Sequence, residues 1–217
     1  MRITTFLFLF ISSIGFSQTT PINNSNFNDA VNDCLETHPI TGLCIDSEYG
    51  PMPDWDVSNV TDMDSAFQYR SIFNADIENW DVSSVTDMCR MFEHVEYFNH
   101  DIGSWDVSSV TNMSYMFDGS FFNQPIGSWD VSNVTGMDFM FNSADLNTCN
   151  YDNALQGWST LDLIPNVQLG ASDINYCSSE TERQSIIDNF GWTIDDGGLD
   201  CTDECLVCAI NNSNIQA

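Results

Sequence analysis

Nine letters recur four times in this chain: WDVSNVTDM at 55, WDVSSVTDM at 80, WDVSSVTNM at 105 and WDVSNVTGM at 129. Spacings of 25, 25 and 24 residues point to a repeat architecture. A unit of that length cannot bury its own apolar side and has to be covered by its neighbours. The one-residue deletion falls between Phe117 and Phe122, where DGSF stands in place of EHVEY, and variation there marks a loop.

The apolar period changes inside each copy. Trp80 and Val82 alternate around Asp81, a strand pattern, and Val85, Met88, Met91 and Phe92 then follow at steps of three and four, a short helix. Thr61, Thr86, Thr111 and Thr135 precede the Met-x-x-Met-Phe stretch (Met-x-x-Ala-Phe in the first copy) and are expected to cap its free amides, with Asp64 and Asp138 completing two capping boxes. The return runs through Phe73-Asn74, Phe98-Asn99 and Phe122-Asn123 to Ile77, Ile102 and Ile126. Its asparagines are expected to bond one loop to the next. The fold class expected from this pattern is an α/β repeat solenoid. Short parallel strands would be spaced by about 4.8 Å, stacked with short helices and closed by N- and C-terminal caps. Trp55, Trp80, Trp105 and Trp129, with Met63, Met88, Met113 and Met137, are the expected repeat core.

The acid beside each Trp is the open position. If Trp and Val point inward, Asp56, Asp81, Asp106 and Asp130 point outward as a row of like charges. Two such charges about 5 Å apart repel by roughly 1 kcal/mol in water. The row therefore needs hydrogen-bond donors, water or cations. Local serines and amides can satisfy each Asp in a turn, calcium can bind along the row, or the row can face a ligand. There is no EF-hand loop or nonapeptide calcium repeat. These four aspartates are the candidate binding residues. No cofactor other than calcium is suggested, and any metal is otherwise unknown.

Residues 1–18, MRITTFLFLFISSIGFSQ, read as a cleaved export signal, with Arg2 ahead of an apolar run too short to span a bilayer. No later stretch is apolar enough for a membrane span. Residues 19–54 form the N-terminal cap, where Phe27, Ala30, Val31, Cys34 and Leu35 make one helical face that Pro39 stops. The four repeats fill 55–148. The C-terminal cap, 149–201, reads as a helix over Tyr151–Trp158 and a strand at Val167–Leu169. A second helix follows from the box Ser179-x-x-Glu182, burying Ile186, Ile187 and Phe190 and stopping at Gly191, and then a last strand at Trp192–Ile194. Residues 202–217 are a cysteine-containing tail.

The sequence carries 32 acidic residues against 4 basic ones, a net charge of −28. After the signal only Arg70, Arg90 and Arg183 remain as cations, with no Lys. Nucleic acid and anionic membranes need clustered cations and are excluded as partners. Eight cysteines in an exported chain suggest disulfides. Cys34 with Cys44, and Cys177 with Cys201, are the expected pairs, and the partners of Cys149, Cys205 and Cys208 stay open. Cys89 takes the place of Asp64, Ser114 and Asp138 and is expected at the surface. His38, His94 and His100 lack a spaced nucleophile or acid and read as solvated. Cys201-x3-Cys205-x2-Cys208 lacks a fourth zinc ligand. The chain is expected not to be an enzyme.

FNHDIGSWDVSSVTNMSYMF resembles the 25-residue repeat of the BspA-like surface proteins, a mycoplasma-lipoprotein type common in Bacteroidetes. The pieces CIDSEYGPMPDWDVSNVTDM and YCSSETERQSIIDNFGWTIDDGGLDC resemble the caps of its flavobacterial members. The resemblance implies a leucine-rich-repeat-like solenoid, secreted or held at the cell surface, that adheres to or binds an extracellular protein or glycan. The alternative is a structural surface protein stabilised by calcium on the Asp row. Family members often run longer and end in a sorting domain or anchor.

Overall fold

The computed structural model describes residues 20–202. The export-signal reading at 1–18, and Cys205 and Cys208, lie outside them. Helix α1 spans Phe27–Thr37, α2 Thr148–Trp158 and α3 Glu180–Phe190; strand β1 spans Gln168–Tyr176 and β2 Thr193–Leu199. β1 and β2 pair in parallel from Gln168 opposite Thr193 to Tyr176 opposite Leu199, with an irregularity between Ala171 and Asn175. α1 buries the face Phe27, Ala30, Val31, Cys34 and Leu35. α3 ends where Gly191 turns left-handed at φ 68°, a conformation that costs Gly least.

The expected α/β repeat solenoid, leucine-rich-repeat-like with a strand and a helix in every copy, is corrected. Among the described residues the strands are β1 and β2 and the α-helices are α1–α3, all outside the copies. The molecule is a compact domain with disulfides, and the copies are built from turns. The reason lies in the backbone. Ser65, Arg90, Tyr115 and Phe139 all sit at φ between 54° and 60°, and Tyr69, His94, Gly119 and Ser143 repeat that geometry four residues later at 54° to 63°. Residues in the left-handed region cannot continue an α-helix.

Amides that a helix would turn back on itself reach the next copy instead. Met63, Ser65, Phe67 and Tyr69 donate to the carbonyls of Asp87, Cys89, Met91 and Glu93 at 2.8–3.0 Å. Between these bonds, three-residue turns such as Ala66 N–H to Met63 O close each local loop. Strand pairing shrinks to single parallel bridges, Asp62 to Asp87, Asp87 to Asn112 and Asn112 to Gly136, and Met137 bridges to Leu169 of β1.

One hydrophobic core runs from Ile22 to Trp192. Trp55, Trp80, Trp105 and Trp129 are buried in it, as are Met63, Met88, Met113 and Met137. Each of these indoles keeps a partner: Nε1 donates to the carbonyl of Gly50, Met52, Ile77 and Ile102 in turn, at 2.9–3.3 Å. Phe67, Phe92, Phe117 and Phe141 stack from copy to copy with centroids 5.5–5.9 Å apart. Phe73, Phe98 and Phe122 form a second row beside them, and such offset rings add attraction beyond the area they bury.

Candidate functional site

The four aspartates beside the tryptophans are exposed, and each closes a turn. Oδ1 of Asp56, Asp81 and Asp106 accepts both the backbone N–H and the hydroxyl of the serine two residues on, at 3.1 and 2.6 Å. Asp130 accepts the Ser132 N–H at 3.0 Å. The Ser58 and Ser108 hydroxyl bonds, helped by the backbone N–H bonds, hold the carboxyls of Asp56 and Asp106 below the usual carboxylate range. Hydrogen bonds to the ionised form produce that direction. The serines supply the row with donors, and the described residues that could gather on one metal ion lie elsewhere in the copies.

The threonines do not cap helices. Thr86, Thr111 and Thr135 each donate their hydroxyl and their amide to the carbonyl of the threonine one copy earlier, at 2.8–3.1 Å. For Thr61 no earlier copy exists, and Asn24 takes its place: the Asn24 amide oxygen accepts Thr61 N–H at 2.7 Å while its nitrogen donates to the Thr61 hydroxyl at 2.6 Å. In the return loops, Asn99 and Asn123 side chains accept the amides of Asn123 and Asn147.

The loops EHVEY and DGSF build a different face. Ile72, Tyr97 and Phe121 occupy the same position in successive copies, each just before a buried Phe, and all three are exposed, Tyr97 at 63% and Phe121 at 53%. Their backbone is tied down. Glu96 and Tyr97 N–H both donate to Ser71 O, and Asp145 N–H donates to Ser120 O. Beside them run the left-handed positions: Tyr69 stacks on His94 at 5.1 Å, Tyr115 on Phe139 at 4.8 Å, and the Arg90 guanidinium lies 4.9 Å over Tyr115. A Cβ on Gly119 would lie 2.3 Å from His94 Nδ1, so any larger residue here would have to displace the His94 ring.

Beneath Tyr69 sits Glu93, the acid buried within the copies. It accepts from Gln68 Nε2 at 2.5 Å and Tyr69 Oη at 3.3 Å, and lies 3.6 Å from Arg90 Nε. Asp118 and His94 complete a group whose ligating atoms fall within 4.8 Å of one another. Partial burial, opposed by His94 and aided by Glu93, raises the Asp118 carboxyl. A second such group, Asp76, Glu78 and His100, lies in the return segment. There His100 is half-buried, with Nδ1 3.2 Å from Glu78 and Nε2 3.2 Å from Asn74 O, and is not simply solvated.

Cys34 is bonded to Cys44 and Cys177 to Cys201; Cys149 is disulfide-bonded too. Cys89 is a free thiol and is buried, against the expectation of a surface site. Burial, the largest influence, pushes its thiol up. Glu93, Tyr97 and Phe121 fall in the EHVEY and DGSF loops that the sequence marks as variable, although none was singled out by itself; Tyr69 was not marked at all.

A family described as Mycoplasma protein of unknown function, DUF285, matches residues 44–158, a stretch that holds all four copies and α2. The chain belongs to that family. The match supports a mycoplasma-type repeat family and does not carry the leucine-rich-repeat assignment. No curated protein and no solved structure matches the chain. Among the described residues, no helix is long and apolar enough to cross a membrane.

Proposed function

We propose that this protein is an exported, non-catalytic binding module that engages an extracellular protein or glycan through the face built by EHVEY and DGSF. The observation that carries the reading is the exposed row Ile72, Tyr97 and Phe121. Large apolar side chains held outward on a bonded backbone, in adjacent copies, form a patch of the kind that marks interaction sites. Placement in loops favours binding, since loops vary without cost to the core. Disulfides favour an oxidising location, secreted or at the cell surface. The resemblance of the repeat to BspA-like surface proteins points toward adhesion.

The test is binding of the chain to arrays of extracellular proteins and glycans, repeated with Tyr97→Ala/Phe121→Ala. Loss of signal with an unchanged melting curve supports the reading. Signal that survives in the double variant and vanishes only when the protein unfolds would sink it.

A further inference from the structure

We infer that the occupant of this loop face is an arginine- or lysine-bearing segment of another protein, seated on Tyr97 and Phe121. The inference rests on the loop face being the binding face, and it names the partner's chemistry.

The molecule shows twice how it holds a cation. The Arg90 guanidinium lies 4.9 Å over the Tyr115 ring with Nε 3.6 Å from Glu93. Arg183 lies 5.2 Å over the Tyr176 ring while Nε and Nη2 bond Asp196 at 2.7 and 3.0 Å. In both places an aromatic face and a carboxylate share one guanidinium, the pairing in which ring quadrupole and charge act together. The loops that carry the exposed rings repeat those ingredients. Tyr97 follows Glu96, and Asp145 N–H, bonded to Ser120 O, brings another acid to the loop beside Phe121. The cations of the described residues are committed elsewhere, with Arg70 bonded to Asn32 and Arg90 and Arg183 placed as above. The chain has no Lys, and its remaining Arg, Arg2, lies in the segment read as a cleaved export signal. A cation over Tyr97 or Phe121 therefore comes from a second molecule.

Charge selects between the two chemistries that stack on exposed rings. A net charge of −28 draws a cationic segment in from a distance and repels anionic polymers. A neutral glycan gains nothing from that field.

The experiment titrates the full chain into three labelled probes at about 0.15 M salt: an octapeptide alternating Arg and Gly, its Ser-Gly counterpart, and cellohexaose. The Arg-Gly peptide is expected to bind, and the other two are not. Tyr97→Ala/Phe121→Ala should weaken it by about tenfold, from two lost ring contacts. Tyr97→Phe should restore most of the Tyr97 share, and Glu96→Gln should cost a few-fold. Asp56→Asn/Asp81→Asn removes two charges from the Asp turns and should change affinity less than twofold. Melting curves establish that each variant is folded. No binding of the Arg-Gly peptide overturns the inference. So does equal weakening by the Asp pair and the ring pair, which reduces binding to bulk charge. Binding of cellohexaose that the ring pair abolishes also overturns it, while leaving the loop face as the binding face.

Discussion

The copies at 55–147 and the segment at 148–202 solve the same problem, the placing of acids, in opposite ways. In the copies the repeated aspartates stay exposed, and the serine two residues on satisfies each. In the C-terminal segment Asp152 is buried at 3% exposure. It accepts the amides of Cys177, Ser178 and Ser179 and the hydroxyls of Ser178 and Ser179, at 2.5–3.3 Å. Ser179, read as a capping residue for α3, gives its hydroxyl to Asp152 and makes no side-chain cap. A buried charge needs a full set of partners. A repeated unit would have to supply that set in every copy, whereas a segment that occurs once can supply it once. Glu93 marks the exception: it is buried in one copy only, with Gln68, Tyr69 and Arg90 gathered around it.

Trp105→Ala tests the copies at their strongest point. It removes a buried indole bonded to Ile77 O and should cost about 4 kcal/mol in denaturant unfolding. A loss below about 1 kcal/mol would mean that the copies do not depend on their Trp row. Asp152→Ala strands five donors that converge on one carboxylate and should cost about 3 kcal/mol. Burial alone would raise the Asp152 carboxyl; the Ser179, Ser178 and Cys177 bonds outweigh it and hold the group low. A folded-state pKa below the unfolded one gives stability that is present above about pH 4 and lost as pH falls through the folded value. The variant's acid-unfolding curve should therefore be shallower than the wild type's, and identical acid limbs would contradict the assignment.

Smaller effects sharpen the contrast. Gly119→Ala puts a side chain at φ 63° and against the His94 ring, and should cost about 1 kcal/mol while moving the His94 ring resonances. Asp106→Ala removes an exposed turn acceptor and should stay within about 0.5 kcal/mol. Calcium should leave the melting midpoint where chelator leaves it, because the row already has serine donors. An ion at 100 times its dissociation constant would add about 2.7 kcal/mol, so a clear upward shift would reinstate the calcium-stabilised alternative.

Much of the inward chemistry was legible. Trp80 and Val82 alternate with Asp81, and a period-two pattern reports burial whether or not a strand forms. That each copy forms turns instead of a helix was not legible, because Met88, Met91 and Phe92 have helical spacing while Arg90 and His94 between and after them are left-handed. Neither residue type signals that geometry, and only Gly119 in an equivalent position hints at it. Asp152 was invisible for another reason: its partners lie 25 to 27 residues away, and no local pattern marks them. The proposed binding face was legible only as variable loops, EHVEY and DGSF. Ile72, Tyr97 and Phe121 differ from one another, so recurring letters do not single out the residues themselves.

Asn24 has a consequence for growth. The carbonyls of Thr61, Thr86 and Thr111 each serve the copy after them, and Asn24 places a side-chain amide where the first copy would otherwise look for a predecessor. An open hydrogen-bonding edge invites a second molecule to pair with it. By imitating a preceding carbonyl with a side chain, the protein counts its own first copy as already joined, and so shuts off one route by which identical molecules could add end to end.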